Sequence, residues 1–123
     1  MRHLLRFGLE LAHEKAHTQA WRWRGHKTSA VTMHETLACE QAARAWDAVM
    51  VAAGAAPKGD YGTVADNVTL GRSARDEIEA LKPREHFQPY LDSVLQACEL
   101  LDEIQSYVAD VDVADLDEVG GDV

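Results

Sequence analysis

The chain has 123 residues, 46% of them hydrophobic, which suits one folded domain and argues against wholesale disorder. Two cysteines and the lack of an apolar run of about 20 residues favour a cytoplasmic protein without a membrane span. The net charge of −9 divides into +2 for residues 1–61 (eight Lys or Arg, six Asp or Glu) and −11 for residues 62–123 (four and fifteen).

A first helix is predicted from about residue 3 to residue 24, because apolar residues recur there every three or four positions. Its main apolar face comprises Leu5, Leu9, Ala12, Ala16, Ala20 and Trp23. Leu4, Phe7 and Leu11 form a second apolar strip beside it. One neighbouring helix cannot cover both strips, so we expect a homodimer that uses the remainder.

After a connection at residues 25–32, a second helix is predicted from about Thr32 to Ala53, with the apolar face Ala38, Ala42, Trp46, Val49 and Ala53. Residues 55–70 contain several Gly and Pro residues and are predicted to be a loop with one helical turn. Ser73 to Asp76 have the form of a capping box, which predicts that a third helix starts at Ser73 and ends at Lys82.

The fourth helix is predicted to begin near Pro89 and to bury a continuous apolar face: Leu91, Val94, Leu95, Cys98, Leu101, Ile104 and Val108. Residues 110–123 alternate acidic and small apolar residues and are predicted to be a disordered acidic tail. The predicted fold is all-α, an antiparallel bundle of about four helices spanning residues 1–109. Cys39 and Cys98 are expected to be buried free thiols, although a bridge would form if their helices faced each other.

Residues 13–17 read H-E-x-x-H, a pattern that places two imidazoles on one side of a helix. His13 and His17 could bind zinc with Glu35 or Glu40 as a further ligand, and Glu14 would be the general base of a hydrolase. Lys15 lies inside the pattern, where a positive charge opposes a divalent cation. The favoured interpretation is therefore that the chain has no metal cofactor and no catalytic residue.

Trp21, Arg22, Arg24 and Lys27 form an aromatic and basic segment that could stack on single-stranded RNA. The favoured alternative is structural, because Trp23 continues the core face and cations suit the C-terminal end of a helix. Nucleic acid is also a poor partner for a net acidic chain.

The second helix resembles the central helix of HEPN domains, in the alanine-rich run from Ala38 to Trp46 followed by Gly54 and Pro57. The similarity covers about a fifth of the chain. It implies a four-helix bundle and, as an alternative function, an RNA-associated module.

Active HEPN nucleases carry an arginine and a histidine a short distance apart in a later helix. Here Arg84 and His86 are too close together, and Arg75 is too far from His86. The resemblance therefore implies a noncatalytic or divergent member.

The acidic second half is the remaining candidate site. We expect it to bind the basic surface of a protein partner, which would offset the repulsion among its charges. The predicted binding residues are Asp102, Glu103, Asp110, Asp112, Asp115, Asp117 and Glu118. The function expected from the sequence is that of a small cytoplasmic interaction or regulatory module.

Overall fold

A computed structural model describes the backbone of residues 6–121 and the side chains of residues 8–110. Over this range the chain forms four α-helices and no strand. The helices are α1 (Arg6–Thr28), α2 (Met33–Ala55), α3 (Tyr61–Glu79) and α4 (Gln88–Gly121), with short 3₁₀ turns at Ala56–Lys58 and Arg84–Phe87. The predicted all-α bundle of four helices is confirmed.

The third helix differs most from its prediction. It begins at Tyr61, so the predicted loop over residues 55–70 is wrong from residue 61 onward, and the predicted start at Ser73 is wrong. Asp60 is the residue that caps this helix, because its side chain accepts a hydrogen bond from the backbone N–H of Thr63 at 3.2 Å. Buried residues along α3, among them Val64, outweigh the low helix propensity of its glycines.

The second helix begins and ends close to where the sequence predicts. The Thr32 hydroxyl caps its first turn by accepting a hydrogen bond from the backbone N–H of Glu35 at 3.0 Å. α2 is the central helix of the bundle and contacts α1, α3 and α4. Its buried alanines let three helices approach closely, and the fully buried Trp46 fills the space between them.

The predicted apolar faces of α1 and α2 are buried over the described side chains. α4 is rotated slightly from its prediction, because Leu95 is exposed while Ala97 is buried. The buried face of α4 includes Val94, Leu101 and Val108, three residues at seven-residue spacing.

α4 is longer than the helix it packs against. Arg72 of α3 pairs with Asp102 of α4, so α4 reaches the level of Tyr61, the first residue of antiparallel α3, at about residue 113. From there to Gly121 the backbone of α4 rises by roughly a further 12 Å, and α4 also contacts the 3₁₀ turn that precedes α3. The disorder predicted for residues 110–123 and the domain boundary at residue 109 stay predictions, and residues 122–123 lie outside the described ones.

Within the described residues, none of the helices is both long enough and apolar enough to span a membrane.

Candidate functional site

The H-E-x-x-H residues lie on the exposed surface of α1. His13, Glu14 and His17 are all exposed, and both imidazoles belong to the same helix, as predicted. Among the described residues, no group of three or more His, Cys, Asp or Glu side chains is arranged to hold a metal ion. A catalytic zinc site needs three protein ligands, and this surface brings together two.

The two glutamates predicted as a further zinc ligand have other neighbours. Glu40 pairs with Lys27 at 2.8 Å, and Glu35 lies in the first turn of α2. His13 lines a groove with Ala53 at the opposite end of that helix. From Glu35 to Ala53 the helix rises by about 27 Å, so the structure does not bring Glu35 together with His13.

Glu35 instead joins three parts of the bundle. Its Oε2 accepts a hydrogen bond from the backbone N–H of Val31 at 3.1 Å, and its Oε1 lies 3.3 Å from Nε2 of His86. The Val31 N–H, followed by the His86 side chain, holds the pKa of the Glu35 carboxyl below its ordinary value. This carboxylate therefore connects the α1–α2 link, the start of α2 and the turn that precedes α4. His86 was not assigned this partner from the sequence, because the two residues are far apart in the chain.

The aromatic and basic segment of α1 is divided between packing and exposure. Arg24 forms an ion pair with Asp47 of α2, and Lys27 forms one with Glu40. Arg24 and Lys27 are thus neutralised by acidic residues of α2. They contribute to the contact between two helices rather than to a free basic surface.

The other residues of the segment lie at the surface. Trp21 is 70% exposed, and the guanidinium carbon of Arg22 lies 5.3 Å from the centroid of the Trp23 ring. Trp23 itself is buried, as the structural interpretation predicts. Of the four residues predicted for RNA stacking, two therefore remain exposed without an acidic partner on α2.

Three helices meet at a hydroxyl group that the sequence did not single out. Nε1 of Trp23 on α1 donates a hydrogen bond to Oγ of Ser93 on α4 at 3.0 Å, and Nε1 of Trp46 on α2 donates to the same oxygen at 2.9 Å. A buried indole N–H requires an acceptor, so the buried tryptophans indicate that an acceptor is nearby, but the hydrophobic periodicity does not identify which residue it is. Ser93 fixes α4 against the α1–α2 hairpin.

Both cysteines are free and buried, as predicted, and no disulfide joins them. Cys98 Sγ donates to the backbone carbonyl of Gly71 at 3.4 Å, and Cys39 interacts with the side chain of Tyr90. Burial is the main cause that raises the pKa of each thiol. A raised thiol pKa disfavours the thiolate, which is the reactive form, so neither cysteine is suited to be a nucleophile.

An acidic surface runs along α4. Asp92, Glu99, Asp102 and Glu103 are exposed, and their spacings of three, four and seven residues place them on one side of the helix. Asp102 pairs with Arg72 at 3.2 Å, but both side chains are more than half exposed, so this pair screens the surface only weakly. From residue 85 to residue 123 the sequence has eleven Asp or Glu and no Lys or Arg.

Three of the seven predicted partner-binding residues have described side chains. Asp102 and Glu103 are exposed and belong to this surface, while Asp110 is partly buried. The other four are on the backbone of α4, but their side chains lie outside the described ones: Asp112, Asp115, Asp117 and Glu118.

No protein-family model matches the chain, and neither a curated protein nor a solved structure matches it. The similarity to HEPN domains therefore rests on the sequence of α2. Arg84 and His86 lie in the 3₁₀ turn before α4, where His86 contacts Glu35. Fold and surface together define a helical bundle with an acidic face.

Proposed function

We propose that the protein is a noncatalytic interaction module that regulates a partner by binding its basic surface along α4. The observation that carries this proposal is the charge of residues 85–123, in which eleven carboxylates face no Lys or Arg of the same segment. Carboxylates one helical turn apart suit Lys and Arg side chains of a partner. The two buried free thiols support a cytoplasmic location.

The bundle itself neutralises little of this surface. On α3, Arg72 pairs with Asp102, and Arg75 pairs with its neighbour Asp76. No ion pair joins Glu99 or Glu103 to another described residue. Their charges are therefore available to a second molecule, and binding would relieve the repulsion between them.

The length of α4 adds to its suitability as a binding helix. Its C-terminal part runs beyond the level where α3 begins, and that part includes three of the predicted acidic residues, Asp115, Asp117 and Glu118. A helix that extends past its own bundle can enter a groove on another protein. Because the attraction is electrostatic and the Debye length is about 8 Å at physiological ionic strength, affinity should fall as salt is added.

A photo-cross-linking residue at position 103 tests the proposal in extracts of the source cells. We expect it to capture a protein through a Lys- or Arg-rich peptide, and the purified partner should then bind the full chain in a salt-sensitive manner. The variant Glu99→Gln with Glu103→Gln should weaken that binding by about tenfold, since each lost charge contact is worth up to about 1 kcal/mol.

The matched control is Asp66→Asn with Glu77→Gln on α3, which changes the net charge equally. If both double variants weaken binding to the same extent, net charge alone is responsible and the α4 face is not the site. A cross-linked peptide without basic residues would likewise contradict the proposal.

The nucleic-acid alternative is supported by the exposure of Trp21 beside Arg22. A labelled single-stranded RNA is the probe for it, and we expect no binding at low salt. Binding that is lost in Trp21→Ala with Arg22→Ala would favour the RNA-associated module instead.

A further inference from the structure

One narrow strip of α2 is exposed along its length. α1 and α3 both pack against α2 but scarcely contact each other, so they leave one side of α2 open between them. Met33, Glu40, Arg44 and Val51 are exposed there, and Met33 and Val51 are 84% and 51% exposed. At about 100° per residue, the four positions lie within about 20° of a single line along the helix. We call these four residues the α2 strip.

The α2 strip has the same spacing in both directions along the helix. Met33 and Val51 are each nine residues from position 42, and Glu40 and Arg44 are each two residues from it. A two-fold axis across α2 at the level of residue 42 therefore brings Met33 of one copy opposite Val51 of another. The same axis brings Glu40 of each copy opposite Arg44 of the other.

We propose that the α2 strip binds the α2 strip of a second copy of the chain, with the two α2 helices antiparallel about this axis. Two apolar contacts and two ion pairs then form from one self-complementary surface, which is what a closed dimer requires. This surface differs from the one on α1 that the sequence suggests for a homodimer. The inference goes beyond the partner-binding face of α4 and does not depend on it.

The charges on the strip favour a second copy as the occupant. Glu40 pairs with Lys27 at 2.8 Å, whereas Arg44 forms no ion pair with another described residue. In the dimer each Arg44 gains the Glu40 carboxylate of the other copy, whose second oxygen can accept from a guanidinium. The cations of α1 beside the strip are Arg24 and Lys27. Each already has an acidic partner on α2, so they oppose the incoming Arg44 only weakly.

The side of α2 that carries the strip is turned away from α4. Trp46, which donates a hydrogen bond to Ser93 of α4, lies about 140° around α2 from Met33. A dimer through the strip therefore keeps the acidic faces of its two copies apart. This separation matters because each chain has a net charge of −9, whereas the strip, with one acid and one base, is neutral.

A contact between two single helices is small, and its size limits the strength of the dimer. We expect it to bury less than about 1,200 Å² in total, which is the lower limit of the standard range for stable interfaces. The association should therefore be reversible, with a dissociation constant on the order of tens of micromolar.

Sedimentation velocity of the full chain over increasing concentration tests the proposal. The mass should rise from 13.6 kDa toward twice that value. Val51→Lys should raise the dissociation constant at least about tenfold, because it removes both apolar contacts. The control is Leu11→Lys on α1, because Leu11 is 50% exposed and the change in charge is the same, and this variant should dimerise like the wild type.

Two charge variants test the predicted register. Arg44→Glu places acids opposite acids, and Glu40→Arg places bases opposite bases, so each variant alone should stay monomeric where the wild type dimerises. Mixed in equal amounts, the two variants should form a heterodimer, because both of its charge contacts then join a base to an acid. The control mixture is Arg72→Glu with Glu40→Arg, which has the same net charges but leaves one pair of bases facing each other. It should associate at least about fivefold more weakly.

A wild type that stays monomeric at all concentrations would overturn the proposal. Equal weakening by Val51→Lys and Leu11→Lys, or equal association in the two mixtures, would overturn it as well. Circular dichroism checks that each variant is folded. If Val51→Lys does not fold, the charge variants decide alone, since their side chains are exposed.

Discussion

Replacing Ser93 with alanine should destabilise the bundle much more than the same change at Ser106, an exposed serine of the same helix. The Ser93 hydroxyl accepts hydrogen bonds from the indole N–H groups of both Trp23 and Trp46. Alanine removes the only acceptor that the structure shows for either group among the described residues. Both donors would then remain buried without a partner.

The expected magnitude follows from the burial of the two indoles. A buried donor left without an acceptor costs about 1–3 kcal/mol. Trp46 is fully buried and should lose the whole contribution, whereas Trp23 lies nearer the surface, where water can replace part of it. We expect a total loss of about 2–4 kcal/mol for Ser93→Ala, a large share of a typical stability of about 5–15 kcal/mol. Ser106→Ala should stay within about 0.5 kcal/mol of the wild type.

Urea unfolding followed by far-ultraviolet circular dichroism measures these free energies. A double-mutant cycle with Trp46→Phe separates the two hydrogen bonds, because phenylalanine removes one of the donors. In that background Ser93→Ala should cost about 1–2 kcal/mol less than in the wild type. A loss below about 0.5 kcal/mol for Ser93→Ala, or strict additivity with Trp46→Phe, would refute the role assigned to the hydroxyl.

Gly71→Ala should destabilise by about 1–3 kcal/mol in the same assay, because its Cβ would lie 2.4 Å from Cδ1 of the buried Leu101. Gly25→Ala, whose Cβ would meet nothing within 4 Å, should instead stabilise α1 by about 0.5–1 kcal/mol; a loss there would contradict the reasoning. The pKa of Glu35 is lower in the folded state than its ordinary value of 4.5. The carboxylate therefore stabilises the fold at any pH above 4.5, and this stabilisation is lost as the pH falls through the pKa of the folded state. The urea midpoint of Glu35→Gln should therefore lie below that of the wild type near neutral pH and approach it in acid. The control Glu85→Gln should have the midpoint of the wild type. A difference between Glu35→Gln and the wild type that persists in acid would disprove the assignment.

The apolar faces of the helices could be predicted because they depend on local spacing. Leu9, Ala16 and Trp23 recur at seven-residue intervals, and burial of one face is the consequence of that period. The start of α3 could not be predicted in this way. Gly62 and Gly71 lower its local helix propensity, and only packing against α2 and α4 compensates for them.

The polar contacts between helices could not be predicted from the sequence, for a related reason. Ser93 and its two tryptophans come from three helices, and Glu35 and His86 are far apart in the chain. Such pairs depend on the rotation of each helix about its axis relative to its neighbours. The hydrophobic period determines this rotation only to within several tens of degrees. The charge of α4, in contrast, is a property of composition, so the sequence alone predicts an acidic surface on this helix.

The central place of α2 also determines where this protein can meet other molecules. Because much of α2 is buried by three neighbours, most of the exposed surface belongs to the remaining helices. α1 contacts α4 only slightly, and the hydrogen bond from Trp23 to Ser93 is among those contacts. Coupling between two sites requires a shared element with two arrangements. We therefore expect that a ligand on the outer side of α1 leaves affinity at the acidic face of α4 unchanged.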